Sequence, residues 1–308
     1  MSDRLRRDRK YSRWLNGDIQ PVGADTGPGS DWFVQSSTGS DDNTGKSWDQ
    51  ALATLDAGVN KCTASVGDRI WVGTYHDEDI SATSLIDVDV IGVQIIGVRK
   101  GRKLPQITNT HTDADVKLAA AGCSVENIRF VGGVDAGTGM LEISAADCAV
   151  INCEYLDETG QATDVIMTTA DADRLLITGW RHYGAAADTA DTSIMLNGCD
   201  DTEICDCYFY GNFDLGAIEC RTAATVRTWI HDCVIWTAGS EDLCIVDTIT
   251  ASTGIVGPNI HCILADDAAN ITEAVTAATF RIVGLVDVVN ADAEKAVAID
   301  WTATVDEA

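Results

Sequence analysis

The strongest constraint on this chain is a repeat. Six segments, CSVENIRFVGG from residue 123, CAVINCEYLDE from 148, RLLITGWRHYG from 174, TEICDCYFYGN from 202, TWIHDCVIWTA from 228 and GPNIHCILADD from 257, superpose with Ile128, Cys153, Trp180, Cys207, Cys233 and Cys262 in one column. The separations are 25, 27, 27, 26 and 29 residues, a period that corresponds to one turn of a solenoid per repeat. Within each segment apolar residues alternate, as in Val125/Ile128/Phe130 and Ile204/Cys207/Phe209, which predicts short strands rather than helices. Parallel strands stacked about 4.8 Å apart place like residues on like, so the column becomes an inward-facing ladder. Cysteine suits that position because it is small, apolar and usually buried. The residue before the column is Asn127, Asn152, Asp206 or Asp232, with Gly179 and His261 as exceptions.

The segments before and after the repeat read differently. Residues 1–30 predict a basic arm followed by a linker rich in Gly and Pro. Residues 31–66 predict a cap, with a strand at Trp32–Gln35, a polar turn and a helix from about Ser47. Trp48, Leu52, Leu55 and Val59 would share one face of that helix. The coil is expected over 67–265, and 266–308 as a last rung and closing or partner-binding segment.

The stretch WFVQSSTGSDDNTGKSWDQALATLDAGV, continued by VGDRIWVGTY, resembles the entrance of right-handed parallel β-helix proteins of the pectate-lyase-like superfamily, with Thr74 before Tyr75 as a departure. The resemblance covers residues 32–75 and implies an all-β fold, a right-handed single-stranded parallel β-helix with an N-terminal capping helix. It is specific for fold and not for activity, because lyases, hydrolases, adhesins and viral spikes share such an entrance.

Charge and thiols limit the remaining possibilities. With 21 Lys+Arg against 48 Asp+Glu the formal net charge is −27, which disfavours nucleic-acid binding. The preference for Asp over Glu and the scarcity of Lys resemble proteins from high-salt environments, where a short Debye length makes dense carboxylates tolerable. Eleven cysteines with no apparent export signal predict reduced, buried thiols in a protein made in the cytoplasm, and no apolar run predicts membrane insertion. Cys199, Cys205, Cys207, His231 and Cys233 invite a metal reading, but an apolar ladder is the simpler one, so no metal and no cofactor is expected. Asp41, Asp42 and Asn43 read as a polar turn that caps the following helix rather than a Ca²⁺ site. Glycosidase chemistry needs two facing carboxyl groups, for which Asp200, Asp201, Glu203, Asp206 and Asp232 are candidates beside His231. The G-H-G and R-I-K elements of the polygalacturonase-like branch are absent, and Arg174, Arg181, Arg221 and Arg227 lie in no pectate-lyase-like context, so no catalytic residue is assigned. Trp32, Trp48 and Trp71 read as packing at the cap; for Trp229 and Trp236 core packing is favoured over an outward glycan platform.

The expected role is therefore that of a virion structural protein of a tailed virus of a halophilic host: a capsid turret, decoration or tail spike at the particle surface. The partners expected are further copies in a homotrimer or vertex ring, capsid or tail proteins, and host surface glycan. Arg4, Arg6, Arg7, Arg9, Lys10 and Arg13 would anchor it to an acidic neighbour. The alternative is a polysaccharide lyase or glycoside hydrolase on the same fold.

Overall fold

The structure is a computed structural model of the chain. It describes residues 29–81, 85–134, 139–157, 163–184, 190–238, 243–264 and 279–284, together with the backbone of the strands Ser12–Leu15, Asp18–Pro21, Val275–Ala277, Val286–Asn290 and Ala296–Ala298. Ser12–Leu15 and Asp18–Pro21 pair antiparallel inside the segment expected as arm and linker.

From Arg69 onward the chain winds as a parallel β-solenoid, each turn giving one strand to each of three sheets of ten, ten and eight strands. A representative turn contains Ser124–Glu126 in the first sheet, Arg129–Gly132 in the second and Leu141–Ile143 in the third. The first sheet begins with Asp31–Val34, which pairs in parallel with Arg69–Val72.

Why the chain bends between the first and second sheets is visible in one residue per turn. Asn127, Asn152, Asp206, Asp232 and Asn259 all have φ between 51° and 59°, and Gly179 has φ 67°. Asn and Asp tolerate this left-handed geometry better than other side chains, because their short polar groups bond locally. Gly179 has a further reason, since a Cβ there would meet Oδ1 of Asn152 on the preceding turn at 2.5 Å.

Just past that bend lies the inward column. The strand registers place Ile128, Cys153, Trp180, Cys207 and Cys233 on successive turns, with exposures of 0–3%. Cysteine is favoured here for a second reason beyond size. The thiols of Cys153, Cys207 and Cys233 each donate to the carbonyl two residues back, at 3.4, 3.1 and 3.1 Å, where the strand ends and the carbonyl has a lone pair to spare.

The column continues through Ile260, not Cys262. Cys233 pairs with Ile260 and Ile235 with Cys262, so the alignment by cysteine slips by two residues at the last repeat. A slip of two preserves the face, and Cys262 is still fully buried. The reliable marker was the left-handed residue, Asn259, which follows Asp232 by 27 positions.

Beside the thiol column, Val125, Val150, Ile177, Ile204, Ile230 and Val256 form an aliphatic ladder in the first sheet. In the second sheet Phe130, Tyr155, His182 and Phe209 stack inward. His182 is buried because its hydrogen bonds are met. Trp180 Nε1–H donates to Ser193 Oγ at 3.1 Å, the serine hydroxyl then donates to His182 Nδ1 at 3.0 Å, and Nε2–H faces Asp157 Oδ2 at 3.4 Å. This Ser–His–Asp set is a core network, closed to substrate by its burial.

The cap departs from a single helix. Trp48–Gln50 is one 3₁₀ turn, and the α-helix is confined to Leu55–Val59. Between them Leu52 runs extended: its N–H donates to Phe33 O, and its carbonyl accepts from Gln35 N–H. The Asp41 carboxylate fixes the corner by accepting from the N–H groups of Ala53 and Thr54 at 2.8 and 3.0 Å. Leu52, Leu55 and Val59 are buried as expected, whereas Trp48 is 43% exposed and lies edge-on to Phe33. The helical spacing was satisfied by a bent segment because sheet pairing at Leu52 outcompeted a short helix.

All eleven cysteines are free, and ten of them are buried, Cys62 being the exception. Burial pushes the thiols of Cys148, Cys153 and Cys220 up to about 12. A thiol reagent at neutral pH is therefore expected to modify at most Cys62 and the outward-facing Cys205 in the native protein and all eleven cysteines in denaturant. Rapid native labelling of several thiols, located by peptide mass mapping, would contradict a dry ladder.

Candidate functional site

The outer face of the third sheet concentrates the chemistry. Strand pairing aligns Asp87, Lys117, Glu142, Met167, Met195, Glu219 and Val246 in one outward column along the solenoid. Inward neighbours such as Leu141, Ile166, Ile194 and Ile218 are buried, and strand alternation turns this column outward. Lys117 pairs with Glu142 at 2.7 Å, and burial holds the Asp87 and Asp115 carboxyls above their ordinary range.

Two apolar methionines further on lies the denser cluster. The Arg221 guanidinium makes short contacts with both oxygens of Asp164, at 2.5 Å, and reaches Glu219 at 3.4 Å. Thr192 Oγ1 donates to Glu219 at 3.2 Å. Both carboxylate side chains are only 8% exposed. Burial holds Asp164 and Glu219 above the usual carboxylate range, with Arg221 pulling the other way. Burial and the charge of Asp214 likewise raise Asp191. Two acids against one cation, each reluctant to ionise, form a charge-coupled group on this face.

Of the acids singled out in sequence, Glu203 and Asp232 come together with His231 on the outer face of the first sheet, beside Cys205. Asp201 instead pairs with Arg227 at 2.7 Å, Asp200 accepts from Val226 N–H, and Asp206 occupies the left-handed turn. Asp164, Asp191 and Glu219 were missed, and Arg221 was set aside. Their strands are joined by connections of unequal length, so no fixed period betrays them; only the alternation in TSIML and GAIEC marks that sheet. Arg4, Arg6, Arg7, Arg9, Lys10 and Arg13 lie outside the described residues as side chains, although the backbone of Arg13 belongs to Ser12–Leu15.

A second surface feature is aromatic. Trp236 and Trp229 point outward, contrary to the core packing expected for them, because Ile235 and Ile230 between their neighbours take the inward positions. On the outer face of the second sheet Tyr183 meets Tyr208, and Tyr210 meets Trp236, each pair with ring centres 5.9 Å apart. Tyr183 is 38% and Trp236 36% exposed.

No family model matches this chain, and no curated protein matches it. Among solved structures, a rhamnogalacturonan lyase superposes over 77% of this chain and 74% of its own, with a TM-score of 0.47 and 11% sequence identity. The strand registers themselves define the class: this is an all-β parallel β-solenoid protein, with very little helix among the described residues.

Proposed function

We propose that this chain is a shape-giving structural protein of a virus particle, a turret, decoration or spike of a tailed virus of a halophilic host, whose outward aromatic face contacts host-surface glycan. The observation that carries the contact is the strip of Tyr183, Tyr208, Tyr210 and Trp236, set on a rigid sheet where it can stack on sugar rings. The free thiols favour assembly in a reducing compartment, and the acidic composition favours a salty exterior. The basic residues from Arg4 to Arg13 would hold it to an acidic capsid or tail protein, as a trimer or vertex ring.

The recombinant protein is expected to bind host envelope polysaccharide, and the double variant Tyr210→Ala/Trp236→Ala to bind at least about tenfold more weakly. Immunogold labelling should decorate virions. Unchanged binding by the double variant would remove the aromatic face from the reading, and labelling of virus-free cells alone would remove the virion. A second reading, a polysaccharide lyase or hydrolase, is favoured by Asp164, Asp191 and Glu219 around Arg221. Release of unsaturated uronides or new reducing ends, abolished in Glu219→Gln, would establish it.

A further inference from the structure

Glu203 and Cys205 flank Ile204, whose side chain is buried in the aliphatic ladder, so strand alternation turns both of them outward. On the next turn His231 pairs directly with Cys205. One ligand atom from each of Glu203, Cys205 and His231 lies within 4.8 Å of the others. The neighbouring thiols of Cys207 and Cys233, which the sequence grouped with these, face the interior and take no part.

The hydrogen bonds around His231 give the group its meaning. Nδ1 lies 2.7 Å from Asp232 Oδ2, and Nε2 lies 3.1 Å from Glu203 Oε1. Ionised carboxylates only accept, so a neutral ring that gives its Nδ1 proton to Asp232 presents a lone pair to another acceptor. A positive charge must sit between them, either a second ring proton or a metal ion on Nε2. A metal ion would in addition engage the Cys205 sulfur, which otherwise bonds to the Thr178 side chain.

The surroundings hold the ring in place. Asn259 Nδ2 donates to Asp232 at 2.6 Å, and the Trp229 ring lies 4.0 Å from the imidazole at 30°, fixed by its own bond to Gly257 O. A carboxylate on the far nitrogen of a histidine is the arrangement that orients metal-ligating imidazoles.

We infer that Glu203, Cys205 and His231 bind a thiophilic divalent cation of the zinc type, tying two adjacent turns of the solenoid on the outer face of the first sheet. The mixed oxygen, sulfur and nitrogen donors suit zinc or cobalt rather than calcium or magnesium. Bond lengths of 2.0–2.3 Å put donor atoms about 3.3–3.7 Å apart, so small side-chain movements close the site. On binding, the Cys205 S–H proton leaves to solvent and the sulfur electron pair forms the metal bond. Glu203, 12% exposed, leaves a side open to water for a fourth ligand.

The test uses the full chain without a histidine tag, stripped with chelator and titrated with Co²⁺ and then Zn²⁺. One Co²⁺ per chain with a thiolate-to-cobalt charge-transfer band is expected. The band should disappear in Cys205→Ser and His231→Gln and persist in Cys62→Ser. Zinc should raise the Tm of the wild type but not of Cys205→Ser. A folded wild-type protein with no band overturns the site, as does a band that survives Cys205→Ser. Should Cys205→Ser fail to fold, Glu203→Gln decides: about tenfold weaker metal binding supports the site and unchanged affinity overturns it. None of these readouts depends on glycan or on a virus particle.

Discussion

Trp180→Ala is expected to lower the stability of the solenoid by about 3–5 kcal/mol, the cost of emptying a large, fully enclosed core position. Trp180 is 0% exposed and stands between Cys153 and Cys207 in the inward column, against Phe130 with ring centres 6.2 Å apart. Small thiols above and below leave the space that the indole fills, and they are too short to reach into the void if it is removed. The same change deletes the donor to Ser193, which frees the hydroxyl that orders His182. Trp236→Ala, on the outside of the same coil, is the matching control and should change stability by less than about 0.5 kcal/mol. Urea unfolding followed by circular dichroism measures both. Similar values for the two variants would mean that the thiol column is not the structural axis of the protein.

The second large effect is expected from Arg221→Ala. In the folded protein this side chain is the cation against both Asp164 and Glu219, which are otherwise largely withdrawn from water. Its loss leaves two buried carboxylates facing each other and should destabilise by about 1–3 kcal/mol at neutral pH, less than for a fully buried pair because Arg221 is 29% exposed. The pH dependence has a definite sign. Asp164 and Glu219 are raised in the fold, so between their unfolded values, about 4, and their folded values the native state holds more protons than the unfolded one. Stability then falls as pH rises through that window. Removing Arg221 moves the folded values higher and extends the window upward. The variant should therefore approach the wild type on acidification and fall furthest behind above neutrality. A wild-type-minus-variant difference that stays constant from acid to neutral pH would show that the three groups are not electrostatically linked.

Surface ion pairs one turn apart, such as Arg129 with Glu154 and Arg174 with Asp147, follow the same geometry at lower stakes. Exposed pairs of this kind contribute at most about 1 kcal/mol each.

The solenoid was legible because its first-to-second-sheet corner recurs at nearly constant spacing, and every turn needs the same two things there. One is a residue that tolerates left-handed backbone; the other is a small or flat apolar group behind it. Asn127, Asn152, Asp206 and Asp232, each followed by its column residue, spell that requirement directly. Aligning on the thiol at Cys262 instead of the turn at Asn259 gave the two-residue slip, since a ladder position accepts any buried apolar group while the turn accepts few.

Local sequence thus determined the period, the inward face and the bend, because each depends on residues within one turn. Only the tertiary structure decided which carboxylates meet which cations and which cysteine looks outward. Asp164 and Arg221 are 57 positions apart, and Cys205 differs from Cys207 merely in lying on the other side of the left-handed residue Asp206. Such meetings arise from stacking turns of unequal length, and a single turn carries no record of what its neighbour will bring to the shared face.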